Sequence, residues 1–200
     1  MANYFKKWKK KKLFDKITDI LFVLLIISFL IPGPRKSILT FVNRVKAMVI
    51  QPDSKKHNYG TLNTADFQNW FLKDLNGQTH SFAEFQGKVI YINFWATWCG
   101  PCLGEMPEIQ KLYDKYKDND KIRFILATSD HKSTVQQFLD KHKEYTFPIY
   151  IMQNSAPSII ETQTLPTSYL IDKKGNIVLL HKGAANWSGD KMEKIVNSLL

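Results

Sequence analysis

Apolar and polar positions fall into blocks along this chain, and the blocks divide it. Residues 20–31 are apolar apart from Ser28. Over residues 37–50, Ile38, Phe41, Val42, Val45, Val49 and Ile50 make the stripe of an amphipathic helix with Arg44 and Lys46 beside it. Such a helix lies on lipid or packs as a linker on the domain; the pattern fits both. Residues 51–58 are polar, contain Pro52 and mark a boundary. Beyond it the period changes. Residues 67–72 and 79–81 flank Asn76-Gly77, a strong hairpin signal. Residues 89–95 are apolar and β-branched except for Asn93, the composition of a strand buried on both faces. After Cys102, the positions Met106, Ile109, Leu112, Tyr113 and Tyr116 predict an amphipathic helix. Residues 122–128 read as a second buried strand, 135–141 as a helix and 147–152 as a third strand. This alternation implies a parallel core with right-handed crossovers. Residues 167–171, the Lys174-Gly175-Asn176 turn and residues 177–181 predict an antiparallel hairpin, and residues 190–200 a closing helix. The class is therefore α/β with a mixed sheet.

Charge changes the picture only once it is located. The 200 residues carry a formal charge of +10, but residues 1–50 hold 11 Lys/Arg against 2 Asp, whereas residues 51–200 hold 17 against 16 Asp/Glu. The nearly neutral folded part argues against nucleic acid as a partner, because a binder needs its basic residues on the folded surface. Seven lysines within residues 1–16 precede the apolar run instead, so the positive-inside rule keeps the N-terminus in the cytoplasm and exports everything after Pro32. A run of twelve residues suits a signal-peptide core. Extension back to Leu13 reaches the roughly 20 residues of a membrane span, at the cost of Asp15, Lys16 and Asp19. Ile31-Pro32-Gly33-Pro34 offers no small-x-small cleavage site and no cysteine for lipidation, which favours an uncleaved anchor over a cleaved signal or a buried cytosolic helix. The expected organisation is a basic tail and transmembrane anchor over 1–34, a juxtamembrane helix and linker over 35–58, and a folded domain over 59–200.

Only two cysteines occur, Cys99 and Cys102, at the point where the buried strand gives way to a helix. A helix N-terminus has unpaired N–H groups and a partial positive charge, and both favour thiolate over thiol. Cys99 is thus the candidate nucleophile. Cys102, one turn on, is placed to attack a mixed disulfide formed at Cys99. A Cys-x-x-Cys pair also occurs in metal sites, but none of the five histidines has ligand spacing to it; His131 and His181 read as surface or loop residues.

The segment Phe94-Trp95-Ala96-Thr97-Trp98-Cys99-Gly100-Pro101-Cys102 resembles the thioredoxin active site, and with Asn93 and Glu105 flanking it the chain is similar to the membrane-anchored, extracytoplasmic TlpA-like branch over roughly residues 67–200. The resemblance implies a thioredoxin fold: a central mixed sheet flanked by helices, with an N-terminal hairpin, a helix-strand insertion over 130–155 and an N-terminal transmembrane anchor. It implies a cis bond at Leu165-Pro166, where position alone suggests an ordinary trans turn, and a substrate surface of Trp98, Leu165 and Pro166, with Leu165 offering its backbone to an extended segment. Trp95 is read as core. Thr164 departs from the family, which commonly has glycine there. Asn93 stands where thioredoxins often have a buried aspartate that moves the resolving cysteine's proton, which an amide cannot do. Glu105, on the same helical face as Cys102, is the expected acid; the alternative is a solvated helix glutamate. No cofactor is implied.

The function so implied is reduction of disulfides in exported proteins, apocytochrome c among them, outside the cytoplasmic membrane on the periplasmic side. The partners would be the disulfide-bearing substrate, a membrane electron-donor protein, and lipid through the anchor. Gly-Pro between the cysteines resembles reducing thioredoxins, with potentials of about −270 mV, rather than oxidants near about −120 mV. A copper-binding metallochaperone is the alternative of another class, disfavoured by the close cysteine spacing. A thiol peroxidase, which does not need the pair, ranks below it.

Overall fold

A computed structural model describes residues 12–30, 42, 45, 50–52 and 59–200. The chain divides into two compact units, Met1–Leu39 and Thr40–Leu200. The described part of the first is helix α1, Leu13–Leu30. Its 18 residues reach about 27 Å at 1.5 Å per residue, and Asp15, Lys16 and Asp19 lie in its first two turns. No helix among the described residues is long and apolar enough to cross a membrane. Of the amphipathic segment expected over 37–50, only Val42, Val45 and Ile50 belong to the described residues, and five lysines of the N-terminal cluster, Lys6, Lys7, Lys9, Lys10 and Lys11, lie outside them.

The second unit begins with helix α2, Thr64–Gln68, followed by strands β1, Phe71–Asp74, and β2, Thr79–Ser81, and a 3-10 turn at Phe82–Phe85. Strand β3, Val89–Phe94, runs into helix α3, Gly100–Tyr116. Then come β4, Ile122–Thr128, α4, Lys132–Lys141, β5, Ile149–Met152, the hairpin of β6, Thr167–Ile171, and β7, Ile177–Lys182, and finally α5, Asp190–Leu199. The seven strands form one mixed sheet in the order β2-β1-β5-β4-β3-β6-β7. β3 and β5 flank β4 in parallel, and the other neighbours are antiparallel. The hairpin, the mixed sheet and the helix-strand insertion are all present.

Two boundaries move. Phe67, read as the start of a strand, belongs to α2, because Asn63 and Asp66 cap one another's backbone N–H groups and start a helix there. The strand therefore begins at Phe71. β5 begins at Ile149 rather than Phe147, since Pro148 has no N–H to give a ladder.

Burial follows the two-residue period of β3. Val89 and Tyr91 join Met106, Ile109 and Leu112 of α3, Val135 of α4 and Met192 and Val196 of α5 in one core. Ile90, Ile92 and Phe94 point the other way, into a core with Leu62, Phe67, Trp70, Phe82 and Ile160. Each fully buried side chain of this size stabilises the fold by roughly 1.5–3 kcal/mol. Asn93 continues the Val89 and Tyr91 face. A polar amide is therefore carried into the core beneath α3, where it needs partners.

Candidate active site

Cys99 caps helix α3 from an extended backbone, and its Sγ accepts from the N–H of Cys102 at 3.2 Å. The two form a disulfide, S–S 2.06 Å. Cys99 is the more accessible of the two, 5% against 1% for Cys102. The turn before it is held by Asp130, whose Oδ2 accepts from the N–H of Thr97 at 2.7 Å while its own N–H donates to Thr128 Oγ1. Sequence reading missed Asp130. It lies two residues past the end of β4, and the parallel pairing of β3 with β4 brings it beside residue 97.

Trp98 is 71% exposed next to the pair, whereas Trp95 is buried in the core and packs on Phe138. Between them lies a groove of about 320 Å³, lined by Phe94, Trp98, Met152, Gln163 and Leu165 among others. The Leu165-Pro166 bond is cis. Thr164 has no need of glycine's freedom, because no non-glycine residue among those described has positive φ. Its N–H donates to Thr162 Oγ1 and its carbonyl accepts from Thr167 Oγ1, so hydroxyls fix the approach to the proline.

Glu105 is fully buried, which rules out the solvated-glutamate reading. Its Oε1 accepts from Asn93 Nδ2 at 2.8 Å, and Oε2 accepts from the N–H of Ala185 at 3.0 Å and from Trp187 Nε1 at 2.7 Å. Asn93 also donates to Ser168 Oγ, its partner across the β3–β6 ladder, and that hydroxyl meets Tyr91 Oη at 3.3 Å. Burial pushes the Glu105 carboxyl up from 4.5 to about 7, against the opposing pull of Trp187, Ala185 and Asn93. Burial first, and then the Glu105 charge, hold the Tyr91 hydroxyl well above its ordinary range. The places of Asn93 on the central strand and Glu105 one turn beyond Cys102 were legible from the resemblance and the helix spacing. Ser168, Ala185 and Trp187 were not, being 63 or more residues away from Glu105 in the chain. His181, read as surface or loop, is instead half-buried on β7 with its ring edge-on to Trp187.

A mixed sheet with a redox-capable cysteine pair at the N-terminus of the helix after its central strand, and a cis-proline before the antiparallel hairpin, defines a thioredoxin-like disulfide protein. Among the described residues no cluster of three or more metal-ligating side chains accompanies the pair. The chain belongs to the Redoxin family, whose profile matches residues 52–200. It is 36% identical over 118 residues to the thiol-disulfide oxidoreductase ResA of Halalkalibacterium halodurans, a match that takes in 58% of this chain and 65% of that protein. It is 39% identical over 114 residues to the thioredoxin-like protein YneN of Bacillus subtilis, with 56% and 66% covered. The chain thus spans a little under two thirds of the length of these relatives. Among solved structures it is similar to a Bacteroides vulgatus protein assigned to the thiol-disulfide oxidoreductases, with a TM-score of 0.53 and 33% identity, covering 65% of this chain and 91% of that one.

Proposed function

We propose that the protein is a thiol-disulfide oxidoreductase that reduces disulfides of exported proteins, apocytochrome c-like thiol proteins being the substrate class. One observation carries the reading: a disulfide capping a helix N-terminus, with a buried, near-neutral carboxyl one turn further on. In the dithiol form the Cys99 thiolate attacks a substrate S–S bond, and one substrate sulfur leaves as thiolate. Cys102 gives its proton to Glu105 and attacks Cys99 Sγ. The second substrate sulfur leaves and is protonated, and the enzyme holds the disulfide seen here. Two electrons have passed to the substrate. A membrane electron-donor protein returns them.

Trp98, Leu165 and Pro166 bind the substrate segment in this scheme, the exposed indole and the groove beside it supporting that assignment. The domain works outside the cytoplasm on the periplasmic side, tethered by residues 1–34, with 35–58 as linker and 59–200 as the catalytic domain. Support for the tether is the lysine cluster together with α1, where Leu21, Phe22, Val23 and Leu24 are each more than half exposed. The charges of Asp15, Lys16 and Asp19 then sit at the cytoplasmic interface, where long side chains reach the headgroups. Cys102→Ser, expressed in the native host, should accumulate exported proteins disulfide-linked to Cys99, whereas Cys99→Ser accumulates none. Failure of the first variant to trap any partner, together with failure of the parent to reduce a small disulfide, would overturn the assignment.

A further inference from the structure

The segment between β7 and α5 meets the site at three places. The N–H of Gly183 donates to the carbonyl of Pro166 at 2.8 Å. Ala185 N–H and Trp187 Nε1 donate to Glu105 Oε2. Ser188 Oγ hydrogen-bonds to Glu108, one turn further along α3. The segment is itself anchored. Trp187 has no exposed surface and stands edge-on to the rings of Tyr91, at 5.2 Å, and His181, at 5.8 Å. An indole so enclosed leaves a large cavity if it moves. Its N–H is a fixed donor aimed at one carboxyl oxygen.

We propose that Trp187 is the positioning residue for Glu105: its indole N–H orients the carboxyl and favours the carboxylate over the carboxylic acid. This rests on the reading of Glu105 as the group that takes the Cys102 proton. An indole N–H, a backbone N–H and an amide NH2 all donate and none of them accepts. A carboxylate satisfies the three donors, whereas a carboxylic acid finds among them no acceptor for its proton. Oε2 already accepts twice and Oε1 once. Oε1 is therefore the oxygen with room for an arriving proton, and Trp187 decides which oxygen that is.

Few charged or titratable groups compete. Tyr91 of β3 is bonded to Ser168 of β6. On α3 itself stand the cysteine pair and Glu108, which pairs with Lys111 at 2.8 Å. β7 contributes His181, behind the Trp187 ring. α5 presents Met192 and Val196 to this core, and α4 presents Val135.

The test compares the full-length parent, Trp187→Phe, Glu105→Gln and the double variant from pH 5 to 9. The readouts are the reduction rate of hydroxyethyl disulfide, split into kcat and KM, and NMR titration of the Glu105 carboxyl carbon. Loss of one charge-assisted hydrogen bond should raise the midpoint of both profiles by about one pH unit in Trp187→Phe. The change should fall in kcat, with KM retained, and should vanish in the Glu105→Gln background. The parent alone supplies a second measurement, which needs no folded variant. Its Trp187 indole N–H resonance should titrate with the Glu105 carboxyl, and should not titrate in Glu105→Gln. An unshifted midpoint in folded Trp187→Phe, or an indole resonance indifferent to pH in the parent, would overturn the proposal. Identical rate profiles for the parent and Glu105→Gln would overturn the underlying reading of Glu105 instead, and the positioning role with it.

Discussion

Glu105 and Glu108 leave the same helix one turn apart, are 0% and 3% exposed, and both hydrogen-bond to the segment between β7 and α5. The protein surrounds them differently. Glu108 has a cation, Lys111, whose ammonium reaches out to water and lies 2.8 Å from Oε1. Glu105 has three neutral donors. A neighbouring cation favours the charged form of a buried carboxylate, whereas neutral donors only partly offset the cost of burial. Glu108 ties the helix to its neighbour; Glu105, one turn beyond Cys102, has a carboxyl raised by burial to about 7, as the proposed resolution step requires.

The comparison can be broken most directly by rate. Glu105→Gln should slow single-turnover reduction of a small disulfide by about tenfold or more and flatten its pH dependence. Glu108→Gln should stay within about twofold of the parent and keep the parent's profile. Equal losses in stopped-flow traces would abolish the distinction.

Stability sharpens it. The Glu105 carboxyl titrates at about 7 in the fold against 4.5 as its ordinary value. Its contribution is thus fully present below about pH 4.5 and is lost as pH rises through about 7. The linkage amounts to roughly 3 kcal/mol over that window. Urea unfolding should show the parent losing that much relative to Glu105→Gln between pH 4.5 and 8, with Glu108→Gln following the parent. A constant gap would mean that Glu105 titrates normally.

The smallest effect belongs to the hairpin, where charges meet near the surface. A hydrogen bond to Glu84 raises the His80 pKa above 6.5, burial opposing, with the Glu84 and Asp74 charges adding to the rise. That stabilisation is complete below about pH 6.5 and fades as pH climbs through the raised value. The Tm advantage of the parent over His80→Gln should accordingly shrink from pH 6 to 9; an advantage unchanged with pH would show the pair to be inert.

What could be read from the residues alone follows from how each feature is encoded. β3 and β4 are central and largely buried on both faces, so they are written as apolar runs broken inside only by Asn93 and Arg123, and their bounds came within a residue of the structure. The cysteine pair and the place of Glu105 are local, with spacing measured along one helix, whereas the cis bond at Pro166 was expected only from the family resemblance. Trp187 and Ala185 have no such signature. They sit in an irregular stretch with no period, and only the antiparallel return of β6 and β7 brings them to α3. Ser168 reaches Asn93 through strand register, which hydrophobic pattern leaves open until the partner strand is known. Phe67 misled because an aromatic suits a strand, while the capping pair around it decides for a helix.

The N–H of Asn186 donates to the carbonyl of Ile50 at 2.6 Å, and Pro52 is buried. Ile50, which directly precedes the polar stretch that looks like the border, is thus fastened to the folded unit beside Trp187. A fragment cut to begin at Tyr59 would lack that mooring. Kinetics measured on such a fragment would describe an acid whose clamp has been loosened at its neighbour, so cloning limits for any assay of this dithiol belong upstream of residue 50.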